Sequence, residues 1–232
     1  MAWLGGLILI AMGLALLAWL LRREKAALWR QRRSVLADCL PLVDAGEITV
    51  AADGFPRLAG TIGGRQVQAD LLPDSLTLRR LPQLWLSLTI LTSMPAGAAF
   101  GVLVRPSGNE FYARTPDLPL RFESPPDFPS EVSVRGSGPQ AAGFLARAQQ
   151  SLADLLADPR VKEVMVTPRG LRVIYQAAEG RRGQHLLLRQ CDFGEARVEA
   201  STFLRLHDGL DAVASALQPV VRKTQMQRGL RA

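Results

Sequence analysis

The side chains able to do acid–base or nucleophilic chemistry in this chain are few and scattered. Of its two histidines, His207 stands beside Asp208 with Asp211 one helical turn on, which could orient an imidazole. No Gly-x-Ser-x-Gly elbow accompanies it, so the pair reads as a solvated helix face. His185 opens an expected strand without a partner. Cys191, next to Asp192 and close to Arg189, reads as a small buried filler, and Cys39 as packing on a helix. The acid pairs Asp70 with Asp74 and Asp154 with Asp158 are of a kind that arises by chance among 21 acidic residues, and nothing sets them across a pocket. No catalytic residue is therefore assigned. Two cysteines and two histidines are too few for a disulfide framework or a four-cysteine zinc site, and neither a metal nor a cofactor is expected.

Anion recognition has better candidates. Arg79 with Arg80, and Arg181 with Arg182 between glycines, fall at turns or strand ends where paired guanidinium forks could grip a phosphate or an anionic partner. As exposed turn residues they need no such role. Gly60 to Arg65 has neither the spacing of a phosphate-cradling loop nor a helix after it. Gly63 and Gly64 instead predict a two-residue hairpin turn.

The elements that must position these groups follow from periodicity. Alternating apolar residues predict strands over 58–62, 65–71 and 84–90, and a further short one over 100–104. The uncharged stretch 84–104 is thereby read as strands rather than as a second membrane helix, since residues 93–97 break it. Five prolines between Pro116 and Pro129 predict an extended surface connection. In the second half, Leu145, Ala148, Leu152 and Leu155 predict an amphipathic helix over 140–157. Strands follow over 161–167, 171–176 and 185–190, and then a second helix carrying Phe203, Leu206, Leu210, Val213 and Leu217.

Charge and hydropathy set the location. The net charge is +7, but Arg22, Arg23, Lys25, Arg30, Arg32 and Arg33 against Glu24 contribute +5, and Arg222, Lys223, Arg228 and Arg231 contribute +4. Residues 34–221 hold the other 18 basic and 20 acidic residues, a balance of −2. A nucleic-acid face on the folded part is not expected. Residues 2–21 form an uncharged run long enough, at about 1.5 Å per residue, to span the roughly 30 Å hydrocarbon core. Trp3 and Trp19 lie near its ends as interfacial anchors, and no cleavage site closes it as in a signal peptide. The basic cluster after the run would touch an anionic leaflet and place the carboxy-terminal part in the cytoplasm. The excess of 25 arginines over 3 lysines suggests a GC-rich bacterial coding sequence.

The fold expected is α+β: a single transmembrane helix (1–21), a basic juxtamembrane helix acting as a stalk (22–43), and an antiparallel β-rich half (44–139). An α-β-β-β-α layer (140–221) and a basic tail (222–232) complete it. The expected function is that of a single-pass bacterial inner-membrane protein. Its cytoplasmic domain is a non-catalytic interaction module, with the lipid bilayer and a membrane-associated protein as partners. The alternative is an enzyme or binding protein for a membrane-associated anionic metabolite or lipid, gripped by Arg79, Arg80, Arg181 and Arg182. Self-association through Ala11, Ala15 and Ala18 is a weaker reading without a GxxxG motif.

Overall fold

A computed structural model of the chain describes residues 2–74, 81–180 and 193–218. For residues 2–10 and Lys25 it gives the backbone course alone. Nine strands form: β1 (Asp44–Val50), β2 (Pro56–Ile62), β3 (Arg65–Asp74), β4 (Gln83–Leu91), β5 (Phe100–Val104), β6 (Leu120–Phe122), β7 (Val132–Gly136), β8 (Val161–Thr167) and β9 (Gly170–Glu179). They are accompanied by helices α1 (Ala2–Arg33), α2 (Gln140–Leu156) and α3 (Ala200–Leu217). The strands make one sheet in the order β1-β2-β3-β4-β9-β8-β5-β7-β6. Each neighbouring pair is antiparallel. The segments 44–139 and 140–221 thus share a sheet, because β4 pairs with β9 and β8 with β5.

Register explains which face became the core. Ile48, Leu58, Ala69, Leu88, Val173, Val164, Val102, Val134 and Phe122 stand opposite one another in a single row across the sheet. All are apolar, and side chains that share a row share a face. Onto this face pack α2, through Leu145, Ala148 and Leu152, and α3, through Phe203, Leu206, Leu210 and Val213. Their three- and four-residue spacing lays one apolar stripe on the sheet. The second face is polar where Arg57, Asp70, Gln68 and Thr89 sit, as expected for an antiparallel sheet with one wet side. Gly63 and Gly64, with φ of 55° and 78°, close the β2–β3 hairpin with Ile62 opposite Arg65.

The membrane assignment does not stand. Among the described residues no helix is long and apolar enough to cross a membrane. Arg22, Arg23 and Glu24 follow the uncharged run on the same continuous helix. The transmembrane helix, its single-pass inner-membrane location and the cytoplasmic placement that rested on it are withdrawn. The fold is a mostly antiparallel β-sheet with few helices.

The stalk is corrected as well. The helix stops at Arg33, and the chain turns into the body through a 3-10 turn over Ala37–Leu42. Val35, Leu36 and Cys39 are core residues. Their apolar spacing, read as one stripe of a longer rod, marks a segment that dives beneath α3. The expected third strand over 185–190 lies outside the described residues.

Candidate functional site

Among the described residues, helix α1 meets the body by its last turns. Leu28 and Trp29 are half-buried, and Trp29 lies against Gly54, where an added Cβ would sit 3.3 Å from the indole and φ is +84°. Arg32 turns inward, its guanidinium 4.8 Å from the Phe55 ring centroid, and donates to the Asp53 carbonyl. Phe55 meets Phe193 edge-on at 6.1 Å. Beyond this joint the described side chains point into open space. Met12, Leu14, Leu16, Leu17, Trp19, Leu20 and Leu21 are all exposed, Leu14 by 62% and Leu16 by 59%. At 100° per residue they surround the helix rather than line one stripe, a pattern that belongs to a helix enclosed by apolar material.

The basic cluster is divided by this geometry. Arg22, Ala26, Trp29, Arg30 and Arg33 share one open face of α1. The Arg33 guanidinium lies 5.9 Å from the Trp29 centroid. Arg23 instead lies 5.5 Å from the ring of Trp19, and Arg32 is taken up by the joint. The side chains of Trp3 and Lys25 lie outside the described set. Among the described residues Arg22, Arg30 and Arg33 form no ion pair.

A second concentration of polar groups lies on the far face of the sheet. Strand β8 carries a bulge at Lys162, and a bulge can aim consecutive side chains at one target. Lys162 and Glu163 both reach the 105–119 loop. Glu163 is fully buried: its Oε1 accepts from the backbone N–H of Arg114 (2.7 Å) and Thr115 (2.8 Å) and from the Thr115 hydroxyl (2.8 Å). Its Oε2 accepts from Arg172 Nη2 at 2.6 Å, which also donates to the Tyr112 carbonyl. Lys162 Nζ lies 3.0 Å from Glu110 Oε1 and donates to the Arg105 carbonyl. Glu110 accepts in addition from the backbone and hydroxyl of Ser107 and from the Gly108 N–H.

Burial alone would raise the Glu110 carboxyl, but the Ser107 hydrogen bonds and the Lys162 ammonium outweigh it and hold it down at about 2. Every oxygen of both carboxylates is engaged. Such a network fastens the 105–119 loop to β8 and β9.

The loop's approach depends on Gly101, where a Cβ would collide with the Thr115 hydroxyl. It also brings Tyr112 onto Trp85, with ring centroids 4.9 Å apart. Charged Lys162 and Glu163 inside the otherwise apolar run Val161–Thr167 are the sequence signal for this network. Alternation was legible there, but the bulge that turns both toward one loop was not.

The remaining candidates do not converge. His207 is buried at 7% exposure rather than solvated, with Nδ1 3.1 Å from Asp208 Oδ1 and no partner at Nε2. Leu206 and Leu210 beside it draw that face of α3 into the core. Asp211 pairs instead with Arg65 at 2.9 Å. Asp70 pairs with Arg57, and Asp158 with Arg205. Cys39 donates its thiol to the Val198 carbonyl, and burial, aided by the nearby Asp38 charge, pushes it up to about 12. Arg79, Arg80, Arg181, Arg182, His185 and Cys191 lie outside the described residues. Among the described residues no group of three or more metal-ligating side chains converges. No protein-family model matches the chain, and no curated protein matches it.

Proposed function

We propose that this protein is a non-catalytic interaction module whose contact element is α1. The β-sheet body serves as the base that holds the helix out from it. The observation that supports this reading is the exposed belt of large apolar side chains over residues 11–21, followed by Arg22, Arg30 and Arg33, which form no ion pair among the described residues. An apolar surface of that kind on every side of a helix is stabilised only when something covers it. The partner therefore offers apolar surroundings bordered by anionic groups. In the body, the carboxylates of Glu110 and Glu163 are taken up in fastening the 105–119 loop.

A photo-crosslinking amino acid placed at Leu16, and in a separate variant at the exposed Gln68 on the polar face of β3, tests this in the producing cells. Discrete adducts from Leu16 and few from Gln68 are expected. Adducts from Gln68 alone, or turnover of a substrate by the purified chain, would contradict the reading.

A further inference from the structure

We infer that the open edge of the sheet at β1 pairs with β1 of a second copy of this chain, antiparallel, about a two-fold axis at Ile48. The inference goes beyond the reading of α1 and concerns a different surface of the molecule.

The edge carries unused backbone groups. Strand order places β1 at one margin of the sheet, paired with β2 alone. Ala51 donates to the Phe55 carbonyl at 2.9 Å, and hydrogen-bonded pairs in an antiparallel ladder alternate with non-bonded ones. The bonded pairs of β1 are therefore Thr49 with Arg57 and Glu47 with Ala59. Ile48, opposite Leu58, and Val50, opposite Pro56, turn their N–H and C=O outward. Among the described residues neither finds a backbone partner there. Groups spaced in this way are a template for another strand.

The other margin of the sheet is guarded, because β6 has only three residues and follows Pro119. Residues 46–50 of β1 include neither proline nor lysine. Their core-side positions are apolar, with Ile48 half-buried and Val50 exposed. Exposed Leu40 lies beside Gly46, where an added Cβ would sit 3.0 Å from Leu40 Cδ1.

A second copy is complementary to this edge. With the axis at Ile48, the two Ile48 residues exchange both backbone bonds and carry the apolar row across the junction. Val50 then stands opposite Gly46 of the second copy, where there is no side chain and Leu40 lies alongside. Glu47 stands opposite Thr49, so no like charges oppose each other on the polar face. Such an isologous contact closes on itself and leaves no free edge at β1.

Sedimentation equilibrium of the full chain over a dilution series tests this. A monomer–dimer equilibrium is expected, with amide exchange at Ile48 and Val50 slowing as dimer accumulates. Val50→Lys should raise the dimer dissociation constant by about tenfold or more. Val50→Pro, which puts a ring where an outward N–H stood, should do the same. Leu91→Lys, the equivalent change at an exposed residue of β4, should leave the constant unaltered. So should the double variant Leu14→Glu with Leu17→Glu, which removes apolar surface from α1.

A chain that stays monomeric at every concentration would overturn the inference. So would a dimer lost in the α1 double variant but kept in Val50→Lys, or one weakened as much by Leu91→Lys as by Val50→Lys. If Val50→Pro lowers the unfolding midpoint, Val50→Lys alone decides, since that side chain is exposed and its replacement should leave the fold intact.

Discussion

Glu163 is the residue on which the second face of the sheet turns. Its four hydrogen bonds draw together β8, β9 and the 105–119 loop. Removing its charge leaves Arg172 mostly buried without a counterion, and breaking a buried pair in this way typically costs about 3 kcal/mol or more. Glu163→Gln should lower unfolding free energy by that order in urea titrations. Thr115→Val, which removes one donor to the same oxygen, should cost about 1 kcal/mol.

Glu110 makes a pH prediction. Its folded-state carboxyl is held at about 2 against an ordinary 4.5. The stabilisation is therefore complete above 4.5 and is lost as pH falls through the interval toward 2. Relative to wild type, Glu110→Gln should show a flatter decline of stability across that interval.

Cys39, pushed up to about 12 by burial, should resist alkylation in the folded chain at neutral pH and react once urea unfolds it. A thiol that reacted as fast in the native protein would contradict its placement under α3. The sequence suggested a packing role for Cys39, whereas for the Glu163 network it showed only two charges inside an apolar run and not what they would meet. The difference is physical: burial follows apolar spacing, whereas the loop partners of Glu163, Thr115 and Arg114, lie 48 and 49 residues away and met it through pairings that no local pattern encodes.

At the scale of elements, strand periodicity was the most legible feature. Leu84, Leu86, Leu88 and Ile90 share the core face of β4 because alternate residues share a face. The two glycines closed their hairpin because both positions take positive φ. The end of α1 was misread, since Val35, Leu36 and Cys39 fit a helical stripe equally well and only the body beneath α3 decides that they turn inward. His207 was misread for a related reason, because its acidic neighbours suggested water while its apolar ones drew that face of the helix under cover.

Gly101 is an element-scale residue whose role shows only in three dimensions. A Cβ there would collide with Thr115 and come within 3.0 Å of Met165 Sδ. Gly101→Ala should destabilise the fold by roughly 1–3 kcal/mol, the range for overpacking. Amide exchange should quicken first in the 105–119 loop, because the alanine separates that loop from the sheet. Uniform acceleration over β1–β4 would argue against the assigned contact.

The whole molecule has a division of labour. Two helices and one face of a nine-stranded sheet hold the fold, and a third helix reaches out from it with the large apolar side chains of residues 11–21 uncovered. Composition disclosed the uncharged run and the basic cluster, but not that Arg32 would dock inward while Arg22, Arg30 and Arg33 stayed on one open face. The central claim is that α1 serves contact rather than folding, and the double variant Leu14→Glu with Leu17→Glu separates the two. Both residues are exposed, so the unfolding midpoint of the purified chain should match wild type while the Leu16 crosslink in cells disappears. A midpoint lowered by several degrees with the crosslink undiminished would contradict the account.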